Sequence, residues 1–138
     1  MILTKSSLFI ISMMFSFSAL AAENRTTDWS DVIDAIIHVE SRGDVNAKSG
    51  IYVGAMQIAP VLVRECNSIL GEKNKKKRYT LNDRYNLKKS KEMFLLFQEK
   101  YNPSKDIEWA IRAWNGGPRF SHKATNGYFN RVLAAMKK

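Results

Sequence analysis

The stretch Trp29-Ser30-Asp31-Val32-Ile33-Asp34-Ala35-Ile36-Ile37-His38-Val39-Glu40-Ser41 decides the fold. Its apolar residues Val32, Ile33, Ile36 and Ile37 recur at the spacing of one helical face. Thr27 or Asp28 can cap the start of this helix. Arg42-Gly43-Asp44 ends it, because glycine takes the left-handed geometry of a helix stop without strain. Glu40 follows Trp29 by eleven residues. At about 100° per residue it returns to within roughly 20° of the same direction. A carboxylate therefore continues the buried stripe. Desolvation and the negative end of the helix dipole both disfavour its ionised form and raise its pKa, as a general acid at neutral pH requires. The plainer alternative is a terminal glutamate that turns outward or pairs with Arg42. His38 falls about 180° away, on the outer face, and receives no catalytic role.

Outward from this helix, residues 45–53 read as a loop holding Asn46, Ser49, Gly50 and Tyr52, with room for a short extended piece. A second helix starts near Pro60 and runs to about Leu70. The basic segment 71–80 is a loop. Leu87, Phe94, Phe97 and Tyr101 mark one face of a third helix that stops at Asn102-Pro103. Ser104 can cap the next, with Asp106 and Glu108 in its first turn and Ile107, Ala110, Ile111 and Trp114 on its inner face. Gly116-Gly117-Pro118 stops it. A final helix from about Tyr128 turns Val132, Leu133 and Met136 inward. No strand pair is legible, so the expected fold is mainly α: a single compact helical domain with a substrate cleft.

The N-terminus sets the compartment. Lys5 is the only charge before Glu23, Leu8 to Phe17 is an apolar run too short to span a bilayer, and Ala19-Leu20-Ala21 offers an A-x-A cleavage pattern. Residues 1–21 are expected to be a signal peptide, and residues 22–138 the exported domain. The formal charge of +9 becomes +8 once Lys5 leaves with that leader, which points to an anionic partner. For an exported chain that partner is the cell envelope, not nucleic acid. The run Lys73, Lys75, Lys76, Lys77, Arg78 is either part of that attraction or a solvated loop. The lone Cys66 follows Val61, Leu62 and Val63 and reads as a small buried apolar residue. With two histidines and no ligand-like spacing, neither a metal nor a cofactor is expected.

A second polar neighbourhood accompanies Glu40. Gly54 permits a close backbone approach to a ligand, Met56 offers a soft apolar surface to a sugar ring, and Gln57 can donate and accept. Asn115 places another amide at a helix end between Trp114 and two glycines. Tyr52, Trp114 and Tyr128 offer stacking faces, although Trp114 also completes a core stripe.

In sequence order these blocks are Glu40-Ser41, Ser49, Gly54-Ala55-Met56-Gln57-Ile58-Ala59-Pro60, the element Asp83 to Leu87, then Ala110, Ala113, Trp114, Asn115 and Gly117, and finally Tyr128 and Val132. The set resembles the SLT-type lytic transglycosylases, the goose-lysozyme-like branch of the lysozyme-like α+β superfamily. Trp114 stands where many members carry tyrosine. The resemblance implies that Glu40 protonates the glycosidic oxygen between N-acetylmuramic acid and N-acetylglucosamine. Glu40 then acts as base on the muramic C6 hydroxyl, closing a 1,6-anhydro ring. It implies that Ser41, Ser49, Met56, Gln57, Asn115 and Tyr128 hold the glycan.

Peptidoglycan glycan strands are then the partner, in the periplasm or envelope. The chain is expected to act as a monomer, with an envelope-spanning assembly as one biological setting. Ordinary glycosidases need two carboxylates. Asp44 and Asp83 are the only candidates for a second, the first too near the helix end and the second structural. The competing readings are a lysozyme using water, a non-catalytic wall-binding module and a membrane-active basic protein.

Overall fold

The computed structural model describes residues 28–138, so the expected leader and Thr27 lie outside the described residues. Helix α1 spans Ser30–Ser41. A small hairpin follows, with β1 at Lys48–Ser49 and β2 at Tyr52–Val53. Helix α2 covers Pro60–Glu72, and a short 3-10 helix, Leu81–Tyr85, leads into α3, Leu87–Tyr101. Helices α4, Ile107–Gly116, and α5, His122–Met136, complete the fold. The mainly helical, lysozyme-like architecture agrees with the sequence reading.

Local chemistry accounts for most boundaries. Asp28 accepts the Ser30 N–H at 2.9 Å and secures the start of α1. At its end Arg42, one residue before the expected glycine, takes the left-handed conformation with φ 54°, and its N–H returns to the His38 carbonyl. Asp106, rather than Ser104, caps α4 by accepting the Trp109 N–H at 2.8 Å. Helix α5 begins at His122, well before the expected Tyr128, with Ser121 accepting the Ala124 N–H. Its first residues, His122 to Ala124, are exposed and carry no apolar signal.

The hairpin is the main departure from an all-helical expectation. Lys48 pairs with Val53 and Ser49 with Tyr52, antiparallel. Gly50 alone in the turn has positive φ, 59°, as a type II′ connection requires at its first central position. Two-residue strands show no alternation in sequence, so periodicity cannot reveal them.

Helix α1 packs on α5 and α4, and α2 packs on α3. Ile36, Met56, Ile58, Met93, Phe94, Ile111 and Val132 are buried between them. Each such side chain contributes about 1.5–3 kcal/mol relative to exposure. Trp29 and Trp114 meet the Phe94 ring edge-on, at centroid distances of 5.6 and 5.2 Å. Cys66 is fully buried, as expected, and burial pushes its thiol up to about 12. Leu87, expected on the inner face of α3, is exposed.

Candidate active site

Glu40 occupies the last turn of α1, half-buried and without an ion pair among the described residues. Burial raises its pKa, opposed by the Tyr128 hydroxyl and by the charge of Arg131. Tyr128 comes from α5, which α1 packs against, and its phenol is pushed strongly upward by burial and by Glu40. It stays protonated and can only donate to a carboxylate. Its oxygen lies outside standard hydrogen-bond geometry to any described residue, although Glu40 and Tyr128 are close enough to shift each other's proton affinity.

Arg131 was not singled out in the sequence. It lies three residues beyond Tyr128 on the same helix face, with its guanidinium carbon 5.9 Å from the Tyr128 ring centroid. The i,i+3 spacing on α5 was the signal that could have found it. His38 is exposed.

The Gly54–Gln57 segment is a tight turn between Val53 and Ile58, which bridge each other. Gly54 and Gln57 both have positive φ, 86° and 52°. The close approach that Gly54 permits is to the protein itself: a Cβ there would lie 1.9 Å from the Arg84 carbonyl oxygen. This corrects the expectation of a ligand at that glycine. The turn drives Ala55 and Met56 into the core. Met56 is 0 % exposed, so the expected apolar surface for a sugar does not exist. Its backbone carbonyl instead accepts the Trp114 indole N–H at 3.2 Å.

Ser41 is likewise occupied, donating to the Ala55 carbonyl at 2.7 Å and accepting the Gly43 N–H. Gln57 donates its amide to the carbonyls of Gly54 (2.9 Å) and Ala47 (3.3 Å), which leaves its side-chain oxygen available. Arg84, unremarked in the sequence, is buried and holds the hairpin from below. It donates to Leu81, Ile51 and Ile58 carbonyls at 2.8–3.0 Å.

A cleft of about 410 Å³ opens beside this turn. Tyr52 and Gln57 line it from the hairpin side, Val61, Leu62 and Glu65 from α2, Phe97 and Tyr101 from α3, and Trp114 and Asn115 from α4. Gln57 and Asn115 thus share one cavity, while Ser49 is exposed on β1. Glu40 is not on its wall. The connection runs through the turn: Ser41 binds Ala55, and two residues on, Gln57 faces the cleft.

Of the two carboxylates weighed in the sequence, Asp83 is spent on the Thr80 N–H and Lys89, and Asp44 on the Asn46 N–H. Glu65 was missed, yet among the described residues it is the carboxylate on the cleft wall. Its bond from the Tyr101 hydroxyl holds it below the usual carboxylate range.

The transglycosylase SLT domain family matches residues 17–132. The chain belongs to that family. Its members are lytic transglycosylases that act on peptidoglycan in the cell envelope. No curated protein and no solved structure matches the chain. The match spans the helical frame, the hairpin and the α5 face carrying Tyr128.

The basic run fits this setting only in part. Lys73 pairs with Glu99, Lys77 with Glu92 at 2.7 Å, and Arg78 bonds the carbonyls of Lys75 and Lys77. Much of its charge is therefore used to tie down the 71–80 loop. No group of three His, Cys, Asp or Glu side chains suited to a metal occurs among the described residues.

Proposed function

We propose that this protein cleaves the MurNAc–GlcNAc β-1,4 bond of peptidoglycan as a lytic transglycosylase, with Glu40 as acid and then base. The observation that carries the reading is a carboxyl group half-buried at the end of α1 with its pKa raised by burial. Protonated, Glu40 donates to the glycosidic oxygen as the C1–O4 bond breaks. The resulting carboxylate takes the proton of the muramic C6 hydroxyl as that oxygen bonds to C1 and closes the 1,6-anhydro ring. No water is consumed. The protonated Tyr128 hydroxyl is suited to stabilise the carboxylate between the two transfers. Gln57 and Asn115 would contact the glycan along the cleft, with Ser49 at the hairpin edge. Ser41 and Met56 would act by shaping the turn.

We further infer export through a cleaved leader over residues 1–21, action on glycan strands in the periplasm or envelope, and function as a monomer. Mass spectrometry of purified peptidoglycan digested with the mature chain tests the proposal. Anhydro-muropeptides, lighter by one water than hydrolysed ones, are expected and should vanish with Glu40→Gln. Reducing-end products would replace the reading with a lysozyme. Unimpaired cleavage by Glu40→Gln would remove Glu40 from the chemistry.

A further inference from the structure

Among the described residues, Glu65 is the one charged side chain on the cleft wall of a strongly basic protein. Both of its contacts fall on one oxygen: Oε1 accepts the Tyr101 hydroxyl and the Lys100 ammonium, the latter at 3.3 Å. Among the described residues, Oε2 has no partner. Lys100 is shared with Glu72 at 3.1 Å, so the group Glu65, Glu72 and Lys100 carries one net negative charge. The bond from Tyr101 fixes the orientation of the carboxylate. Leu62, Phe97 and Trp114 line the same cleft and give it apolar and aromatic walls. Such walls suit a methylene chain and the face-on approach of a cation.

We propose that the Glu65 side of this cleft, beyond the glycan contacts of Gln57 and Asn115, is a specificity subsite for the peptide stem of peptidoglycan, and that Glu65 Oε2 binds the primary ammonium at the end of a diamino-acid side chain. The inference rests on the proposed transglycosylase reading and adds what that reading leaves open, the part of the substrate recognised away from Glu40. A sugar ring could stack on the same aromatic walls, but its hydroxyls need no net negative charge. An alkyl ammonium uses that charge. The subsite is separate from the acid, so it governs binding and leaves the chemical step alone.

The test measures binding of the Glu40→Gln chain to purified peptidoglycan, native or with its amines acetylated, together with KM and kcat of the parent chain on both polymers. Acetylation is expected to weaken binding five- to tenfold and raise KM to match, with kcat unchanged. Adding Glu65→Gln should give that weaker binding on native polymer and remove the sensitivity to acetylation. Equal binding and equal KM on the two polymers would overturn the subsite while leaving the transglycosylase reading intact. A Glu65→Gln chain that still discriminates them would do the same. Failure of the parent chain to cleave or bind either polymer would overturn both. The acetylation arm uses the unaltered cleft, so a Glu65→Gln chain that folds poorly does not decide the outcome.

Discussion

The Ser41 hydroxyl donates 2.7 Å to the Ala55 carbonyl, joining the residue next to Glu40 to the turn whose last member, Gln57, faces the cleft. This bond ties the end of α1 to the Gly54–Gln57 turn. Ser41→Ala leaves a part-buried carbonyl unpaired and is expected to cost about 1–3 kcal/mol of stability. With the acid less firmly held, kcat should fall roughly tenfold, about 1.4 kcal/mol of transition-state stabilisation, with KM little changed. A variant with raised KM but intact kcat would show that Ser41 touches substrate instead.

Glu40→Gln should lower cleavage by roughly 10²–10⁴-fold, the range of a lost general acid. Its stability carries a second signature. The folded-state pKa of Glu40 is raised, burial outweighing Tyr128 and Arg131. The stability this group contributes is therefore fully present below its unfolded pKa and is lost as pH rises through the folded value. Glutamine never ionises. The variant should match the parent near pH 4 and exceed it at pH 7, as read by urea unfolding at both pH values. A variant less stable at pH 7 would mean that the ionised carboxylate is favoured in the fold.

What the sequence made legible and what it hid have separate physical causes. The stripe from Val32 to Glu40 was readable because a helix repeats its direction every few residues, and the half-buried Glu40 follows from it. The hairpin was not, since strands of two residues carry no period. Met56 was misread because its residue type suits a sugar platform, whereas the turn geometry at Gly54 and Gln57 sends it inward. Glu65 and Tyr101 are 36 residues apart and meet only because α2 packs on α3. Pairings of that kind are set by tertiary packing, which leaves no local mark.

Gly54 is held by two independent constraints, a φ of 86° and the Arg84 carbonyl where a Cβ would lie. Gly54→Ala is expected to destabilise by about 3 kcal/mol or more, from backbone strain plus displacement of the Arg84 backbone. Gly50→Ala meets no atom within 4 Å and bears only the strain of its φ. It should cost about 1–2 kcal/mol. Thermal unfolding of the two variants side by side checks the difference; equal losses would mean the Arg84 contact yields freely.

If Glu40 is the proposed acid, Arg131 is expected to tune its working pH. Its positive charge, with the Tyr128 hydroxyl, holds the Glu40 pKa below the level that burial alone would give. A general acid must be protonated to act, so its pKa in the free protein marks the alkaline fall of kcat/KM. Arg131→Ala removes the nearby cation and should move that fall to higher pH. Arg131→Lys keeps the charge and should leave it nearly in place. Arg131 is exposed, so rising salt should screen it and shift the parent's profile toward that of Arg131→Ala, while the alanine variant stays still. The decisive measurement is kcat/KM against pH for the three chains at low and high ionic strength. An alkaline limb that moves to lower pH in Arg131→Ala would show that Arg131 acts on the substrate's own anionic groups rather than on Glu40.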